Sequence, residues 1–256
     1  MASILWGAKS GFSELFMTET WAGVAEFIGQ LLGRGTELTP AFLDFVSWRD
    51  ALWLSLDTIG MSVLAIGFAA LAVLFTFLPA PRNVAFGEFS GSRSALGGVG
   101  FCFMRGVFLF TRGVPELSRA MLIVFVFSPG ILPGAIALGL HNYGILGKLS
   151  AEVVEDLDPR PARALRTDGA SNLQMPLYGV FPQVLPQSLS YTLYRWEVVI
   201  RTTIVVGFVA ARGLGREFRL GMSFFRYDKV MLLLMCYLLL VLGVDLIAAW
   251  LMRLVR

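Results

Sequence analysis

An all-α, polytopic membrane fold is what this sequence predicts, and three observations carry the prediction. Only 15% of the residues are charged while 56% are hydrophobic, for a mean hydropathy of +0.71. Soluble domains carry about 25% charged residues, so this much apolar surface calls for a lipid solvent. Apolar runs long enough to cross a bilayer, which takes ~20 residues of helix, recur along the chain. Polar stretches rich in Pro, Gly and Arg separate them. The expected organisation is one transmembrane domain over residues 51–256 with five core spans. An N-terminal amphipathic segment over residues 1–50 precedes it.

The elements follow in order. Gly11–Gly33 places Phe12, Leu15, Phe16, Val24, Phe27, Ile28, Leu31 and Leu32 near helical spacing. Glu14, Glu19 and Glu26 make a crossing costly, so an interfacial helix on the extracytoplasmic surface is expected rather than a sixth span. The same glutamates, with Lys9 the one early cation, argue against a secretory leader. A short helix is expected after Pro40, through "AFLDFVSW". The first span is Ala51–Leu78, about 42 Å as a helix. The loop "PAPRNVAFGEFSGSRS" follows, and then a second span, Ala95–Phe127, ended by Ser128–Gly130. Leu132–Leu157 is the third span, Val184–Ala211 the fourth and Lys229–Leu251 the fifth.

Charge placement bears on orientation. With the loop over about 158–183 inside, the inner segments hold eight cations: Arg82, Arg93, Lys148, Arg160, Arg163, Arg166, Arg253 and Arg256. The loop after the fourth span holds five: Arg212, Arg216, Arg219, Arg226 and Lys229. Eight against five is a small bias towards a cytoplasmic central loop.

That central loop contains "RTDGASNLQMPLYGVFPQVLP". "PARALRTD" has helical propensity, and Gly169 permits the positive φ of a tight turn. "ASNLQMPLYGV" forms a second short segment, and Pro182 and Pro186 restart the chain into the membrane. A projecting helix-turn-helix of this kind suits a transporter that receives force from a partner.

These residues resemble the EAA loop of bacterial ABC importer permeases. Ala164, Gly169 and Pro182 keep its register, Arg163 stands at the position of the motif's glutamate, and Leu165 replaces its second alanine. "RGVPEL", "HNYGILGKLSAEVVEDLDPRPARALRTDGAS", "YGVFPQVLPQSLSYTLYRWEVVIRTTIVVGFV" and "VDLIAAWLMR" extend the resemblance, over Asp57 to Arg253, to the permeases of phosphonate ABC importers. Where that family continues with a glycine-rich run, this chain has "AARGLG", with Arg212 in place of a glycine.

The resemblance implies a permease subunit in a bacterial cytoplasmic membrane. It implies a coupling loop carrying Arg163, Ala164, Leu165, Gly169, Ala170, Ser171 and Pro182. It also implies a second permease subunit, partner ATPases that bind ATP and Mg, and an extracytoplasmic binding protein. No cofactor in this chain is implied. The cargo implied is a phosphonate or a related phosphorus oxyanion such as phosphite, moved by alternating access. A passive anion channel is the alternative from another class, and ATP dependence separates the two.

Charges inside lipid are costly, so each requires a partner or a path. Arg105, Arg112, Glu116 and Arg119 fall on one face if the second span is continuous, and Glu197 and Arg201 lie four apart in the fourth. Two readings stay open. One is internal ion pairing, Arg112 with Glu116 and Glu197 with Arg201. The other is a cationic wall of a translocation path, with arginine forks suited to phosphoryl groups.

Other chemistry is excluded by spacing. "GILGKLS" would need Gly at Asn142 and Ser or Thr at Leu149 to bind a nucleotide phosphate. Gly144 and Gly147 are instead expected to permit close helix packing. Glu152, Glu155, Asp156 and Asp158 read as a helix end meeting water. His141 is the one histidine, and Cys102 and Cys236 lack metal-ligand spacing. No nucleic-acid motif and no catalytic constellation is present.

Overall fold

The structure, a computed structural model, describes residues 16–35, 39–76, 79–87, 95–171, 174–209 and 212–255. Phe12, Glu14, Leu15 and Arg93 lie outside them. Helix α1 is Thr18–Leu31, followed by a 3-10 turn at Ala41–Leu43 and α2 at Phe45–Thr76. Helices α3 (Arg82–Ala85), α4 (Ala95–Gly113), α5 (Glu116–Val126) and α6 (Ile131–Glu155) come next. The central segment forms α7 (Arg160–Thr167) and a π-helical turn, Met175–Val180, that runs into α8 (Phe181–Val209). Helices α9 (Leu214–Ser223) and α10 (Tyr227–Val255) complete the chain.

Helix α2 shows how composition becomes packing. Its buried Ala51, Ser55, Thr58, Ser62, Ala65 and Ala69 recur at steps of four and three, a stripe of small residues that lets backbones approach. The Ser55, Thr58 and Ser62 hydroxyls donate to carbonyls of Ala51, Leu54 and Ile59 in their own helix, so no polar group is stranded. The opposite face exposes Leu52, Trp53, Leu56, Phe68, Leu71 and Phe75, as a lipid-facing surface should.

Helix α6 is the central post, packed against α2, α4, α5 and α8. A Cβ at Gly139 would lie 3.1 Å from the Ala65 carbonyl oxygen of α2. One at Gly144 would lie 2.7 Å from the Phe108 carbonyl oxygen of α4, and one at Gly147 would enter the Phe108 ring. The expected role of Gly144 and Gly147 in close packing is met. A second apolar cluster joins α2, α8, α9 and α10 around Ile200, Leu214, Leu232 and Leu233.

Among the described residues, two helices, α2 and α10, are long and apolar enough to cross a membrane alone, and Met175–Val209 with α9 passes the same test only when the two are taken together. The other expected spans form helices that carry polar groups. Three expectations about elements need correction. The expected second span breaks at Val114 and Pro115, because proline lacks an N–H and disfavours helix in the residue before it. Arg105 and Arg112 therefore sit on α4, whereas Glu116 and Arg119 sit on α5, and they share no continuous face. The stretch expected as an outer loop after the fourth span contains a helix, α9, with Leu214, Phe218 and Met222 at steps of four. The first span begins at Phe45, not Ala51, capped by Asp44, whose carboxylate accepts from the Val46 and Ser47 backbone N–H and the Ser47 hydroxyl.

Candidate functional site

The central loop is built from local rules. Helix α7 ends in a Schellman closure: Ala170 N–H donates to the Leu165 carbonyl and Gly169 N–H to that of Arg166, both at 3.0 Å. Gly169 has φ +91°, the left-handed value this closure requires. Ser171 then opens a capping box. Its N–H donates to Gln174 Oε1 at 2.9 Å, and its hydroxyl accepts from Gln174 N–H at 3.3 Å. Pro182 cannot donate to the Tyr178 carbonyl four residues back, which removes an α-type bond where the wider π turn sits.

Helix α7 rests on this turn. Ala162 is buried, and a Cβ at Gly179 would lie 3.3 Å from Ala162 Cα. The outer side exposes Arg160, Arg163, Ala164, Arg166 and Thr167, with Leu177 53% and Tyr178 72% exposed beside them. Leu165 and Ala170 are half-buried, and Ser171 and Pro182 are exposed. This exposed surface mixes apolar and cationic side chains, the chemistry of a protein docking surface.

A second set of contacts fixes where the loop begins. Glu155, the last residue of α6, accepts from Arg105 at 2.5 Å and from the Arg82 backbone N–H at 2.7 Å. Arg105 Nε also donates to the Ala80 carbonyl, and Asn83 donates to the Val154 carbonyl at 2.6 Å. Arg105 thus ties the 79–87 segment to the end of α6.

The other charged groups fall into two places. Arg201 pairs with Asp245 of α10 at 2.6 Å rather than with Glu197, which makes no ion pair among the described residues. Arg112 likewise makes no ion pair there, and Glu116 meets His141 instead, Oε2 to Nε2 at 3.4 Å. Both intrahelical pairs expected from spacing are thus replaced by contacts between helices. Arg119 is buried at 7% exposure, and its guanidinium donates to the Thr111, Val114 and Ala137 carbonyls. It caps the broken end of α4.

Near them, Arg195 of α8 sends Nε and one Nη to Asn142 Oδ1 at 3.0 and 2.7 Å. Glu116, His141, Asn142 and Arg195 bring together three helices, with Arg119 behind them. Arg195, Asn142 and Asp245 were not legible as site residues, because their partners lie on other helices. Arg212, the residue standing in place of a glycine, pairs with Asp57 of α2 at 3.3 Å.

Comparison with known proteins matches this architecture. The family model described as binding-protein-dependent transport system inner membrane component covers residues 83–256. The phosphite transport system permease protein PtxC of Stutzerimonas stutzeri is 34% identical over 82% of this chain and 72% of its own length. The phosphate-import permease protein PhnE of Mycolicibacterium smegmatis is 31% identical over 75% of this chain, but only 36% of that relative is spanned. A putative cryptic phosphonate transport system permease protein of Escherichia coli, PhnE2, is 48% identical over 31% of this chain and 66% of its own.

Among solved structures, the inward-facing MetNI methionine ABC transporter aligns with TM-score 0.65 at 13% identity, over 80% of this chain and 96% of that one. An amino acid ABC transporter aligns with TM-score 0.61 at 18% identity, over 82% and 98%. At such identities the likeness establishes the fold alone. Taken with the sequence relatives, it places this chain in the family of binding-protein-dependent transport system inner membrane components, as a permease subunit of an ABC importer.

Proposed function

We propose that this permease subunit imports a small phosphorus oxyanion, such as phosphite, a phosphonate or phosphate. The observation that carries the cargo class is the set of phosphite, phosphate and phosphonate permeases among its sequence relatives. Partner ATPase subunits bind ATP and Mg and seat on α7 and the π turn. An extracytoplasmic binding protein delivers the ligand, and a second permease subunit, identical or paralogous, closes the path. The coupling surface consists of Arg163, Ala164, Leu165, Gly169, Ala170, Ser171 and Pro182. Of the charged residues expected on the path, Arg112 and Glu116 line it, with Arg119 bracing the break between α4 and α5. Helix α1, at 14 residues about 21 Å long, is too short to span and lies at the interface.

The packing of α2, α4, α5 and α8 on α6 supports a reading of alternating access. Nucleotide-driven closure of the ATPases moves α7, and the helices packed on α6 rock around it. The test is uptake by proteoliposomes holding the complete complex, supplied with labelled phosphite, methylphosphonate, sulfate or a neutral amino acid. ATP-dependent uptake of the phosphorus compounds is expected. ATP-driven uptake of the amino acid with none of the phosphorus compounds refutes the cargo class.

A further inference from the structure

We infer that Arg195, His141 and Glu116 form a rest site for a tetrahedral oxyanion halfway across the membrane. In it Arg195 exchanges its neutral partner, Asn142, for the anion. The inference rests on the importer reading above and deepens it by locating where the cargo pauses inside this subunit.

Depth comes first. Arg195 lies fourteen residues from either end of α8, roughly 21 Å along the helix, and His141 and Asn142 sit mid-way along α6. Lipid phosphates stand at the edges of a hydrocarbon core about 30 Å thick, so an arginine at this level is out of their reach. With α8 centred in the bilayer, the occupant is a free anion and not a lipid headgroup.

The bonding of the arginines comes second. Arg105 and Arg201 are neutralised by Glu155 and Asp245 at 2.5 and 2.6 Å. Arg119 has its guanidinium on three carbonyls. Arg195 differs from all of these: the hydrogen bonds its side chain makes go to one neutral amide oxygen. Of its five N–H donors, this contact employs Nε and one Nη, which leaves donors for an incoming oxyanion. A charge placed this deep, hydrogen-bonded to a neutral amide and with Glu116 acting on it only through space, points to a functional group before a structural pair.

The surroundings come third. Arg195 is half-buried, and the side chains of His141 and Glu116 keep 18% and 29% exposure, so an ion can reach them. Protonated at Nε2, which lies 3.4 Å from Glu116 Oε2, His141 is the second donor an anion would recruit. With His141 neutral, Glu116, Arg119 and Arg195 sum to one net positive charge, enough to admit an anion. Glu116 competes for the same donors and keeps the hold weak, as a site that must release its cargo requires.

The test uses the permease with its ATPase partners in nanodiscs, without the binding protein, and inorganic phosphite as the probe. Phosphorus NMR reads broadening of the phosphite P–H doublet, which lipid phosphorus does not share. Wild-type complex should broaden it with millimolar affinity, in zwitterionic and anionic nanodiscs alike. Arg195→Gln should weaken binding at least tenfold. Asn142→Asp supplies a carboxylate to Arg195, so it should abolish binding, with size-exclusion chromatography of the variant showing an assembled complex. Glu116→Gln should tighten binding several-fold. Arg49→Gln, at an exposed arginine near the start of α2, should change nothing.

No broadening by wild type overturns the inference, as does equal broadening in Asn142→Asp, or an Arg49→Gln effect as large as that of Arg195→Gln. Uptake by the full wild-type complex separates the two levels. ATP-driven phosphite uptake without a detectable site leaves the importer reading standing and removes the rest site.

Discussion

Arg119→Met should destabilise this protein without altering what it transports. Methionine keeps much of the unbranched stem and removes the guanidinium. The Thr111 and Val114 carbonyls, at the broken end of α4, then lose their donor, as does the more distant Ala137 carbonyl at 3.5 Å. A buried acceptor left without a partner costs about 1–3 kcal/mol, and two strongly engaged carbonyls give a loss of about 3 kcal/mol. For a chain of this size each kcal/mol moves the midpoint by about 2–4 °C, so the expected fall is about 6–12 °C. Arg119→Lys keeps the charge but not the fork, and should fall between the two. Fluorescence-detected size-exclusion chromatography after graded heating reads the midpoint, and phosphite uptake at a permissive temperature reads function. If Arg119→Met is as stable as wild type and uptake collapses, the residue acts on the path and the capping argument is wrong.

Three further outcomes are expected. Gly169→Val places a β-branched residue at φ +91°, where space is open but the backbone is strained, so ATPase association in pull-down and transport should fall while membrane insertion is kept. Gly147→Leu drives its side chain into the Phe108 ring and should cost about 1–3 kcal/mol; combining it with Phe108→Ala should cost less than the sum of the two, and strict additivity would refute the contact. The Asp44 carboxyl is held below the ordinary carboxylate range, first by the Ser47 hydroxyl and then by the Ser47 and Val46 backbone N–H groups. Its capping of α2 is therefore present above the unfolded value near 3.8 and lost as pH falls through the lower folded value, so Asp44→Ala should be less stable than wild type at neutral pH and equal to it in strong acid.

Much of this fold is legible in sequence because the signals are local. Gly169 announces its turn, Pro182 and Pro186 announce the re-entry, and Gly144 and Gly147 announce a close approach. Pro115 was legible too, yet the apolar stretch around it reads as one span, and the break changes which charges share a face. Helix α9 hides behind Arg212, Arg216 and Arg219, which suggest a loop although Leu214, Phe218 and Met222 keep helical spacing. The charged partners were not legible at all. Glu197 and Arg201 satisfy the four-residue rule, but Asp245, forty-four residues on from Arg201, lies nearer in space. Spacing along one helix cannot weigh a competitor on another.

The π turn joins the exposed loop to α8 without a break, so Met175–Val209 behaves as a single lever. Met175 lies about 30 Å from Arg195 at the rise of an α-helix, and a tilt of roughly 10° about either point displaces the other by about 5 Å, one helical turn. That stroke exceeds the 2.7 Å separating Arg195 from Asn142. A push at Met175 can therefore break or make the contact between Arg195 and Asn142 with no peptide unit unwinding between them.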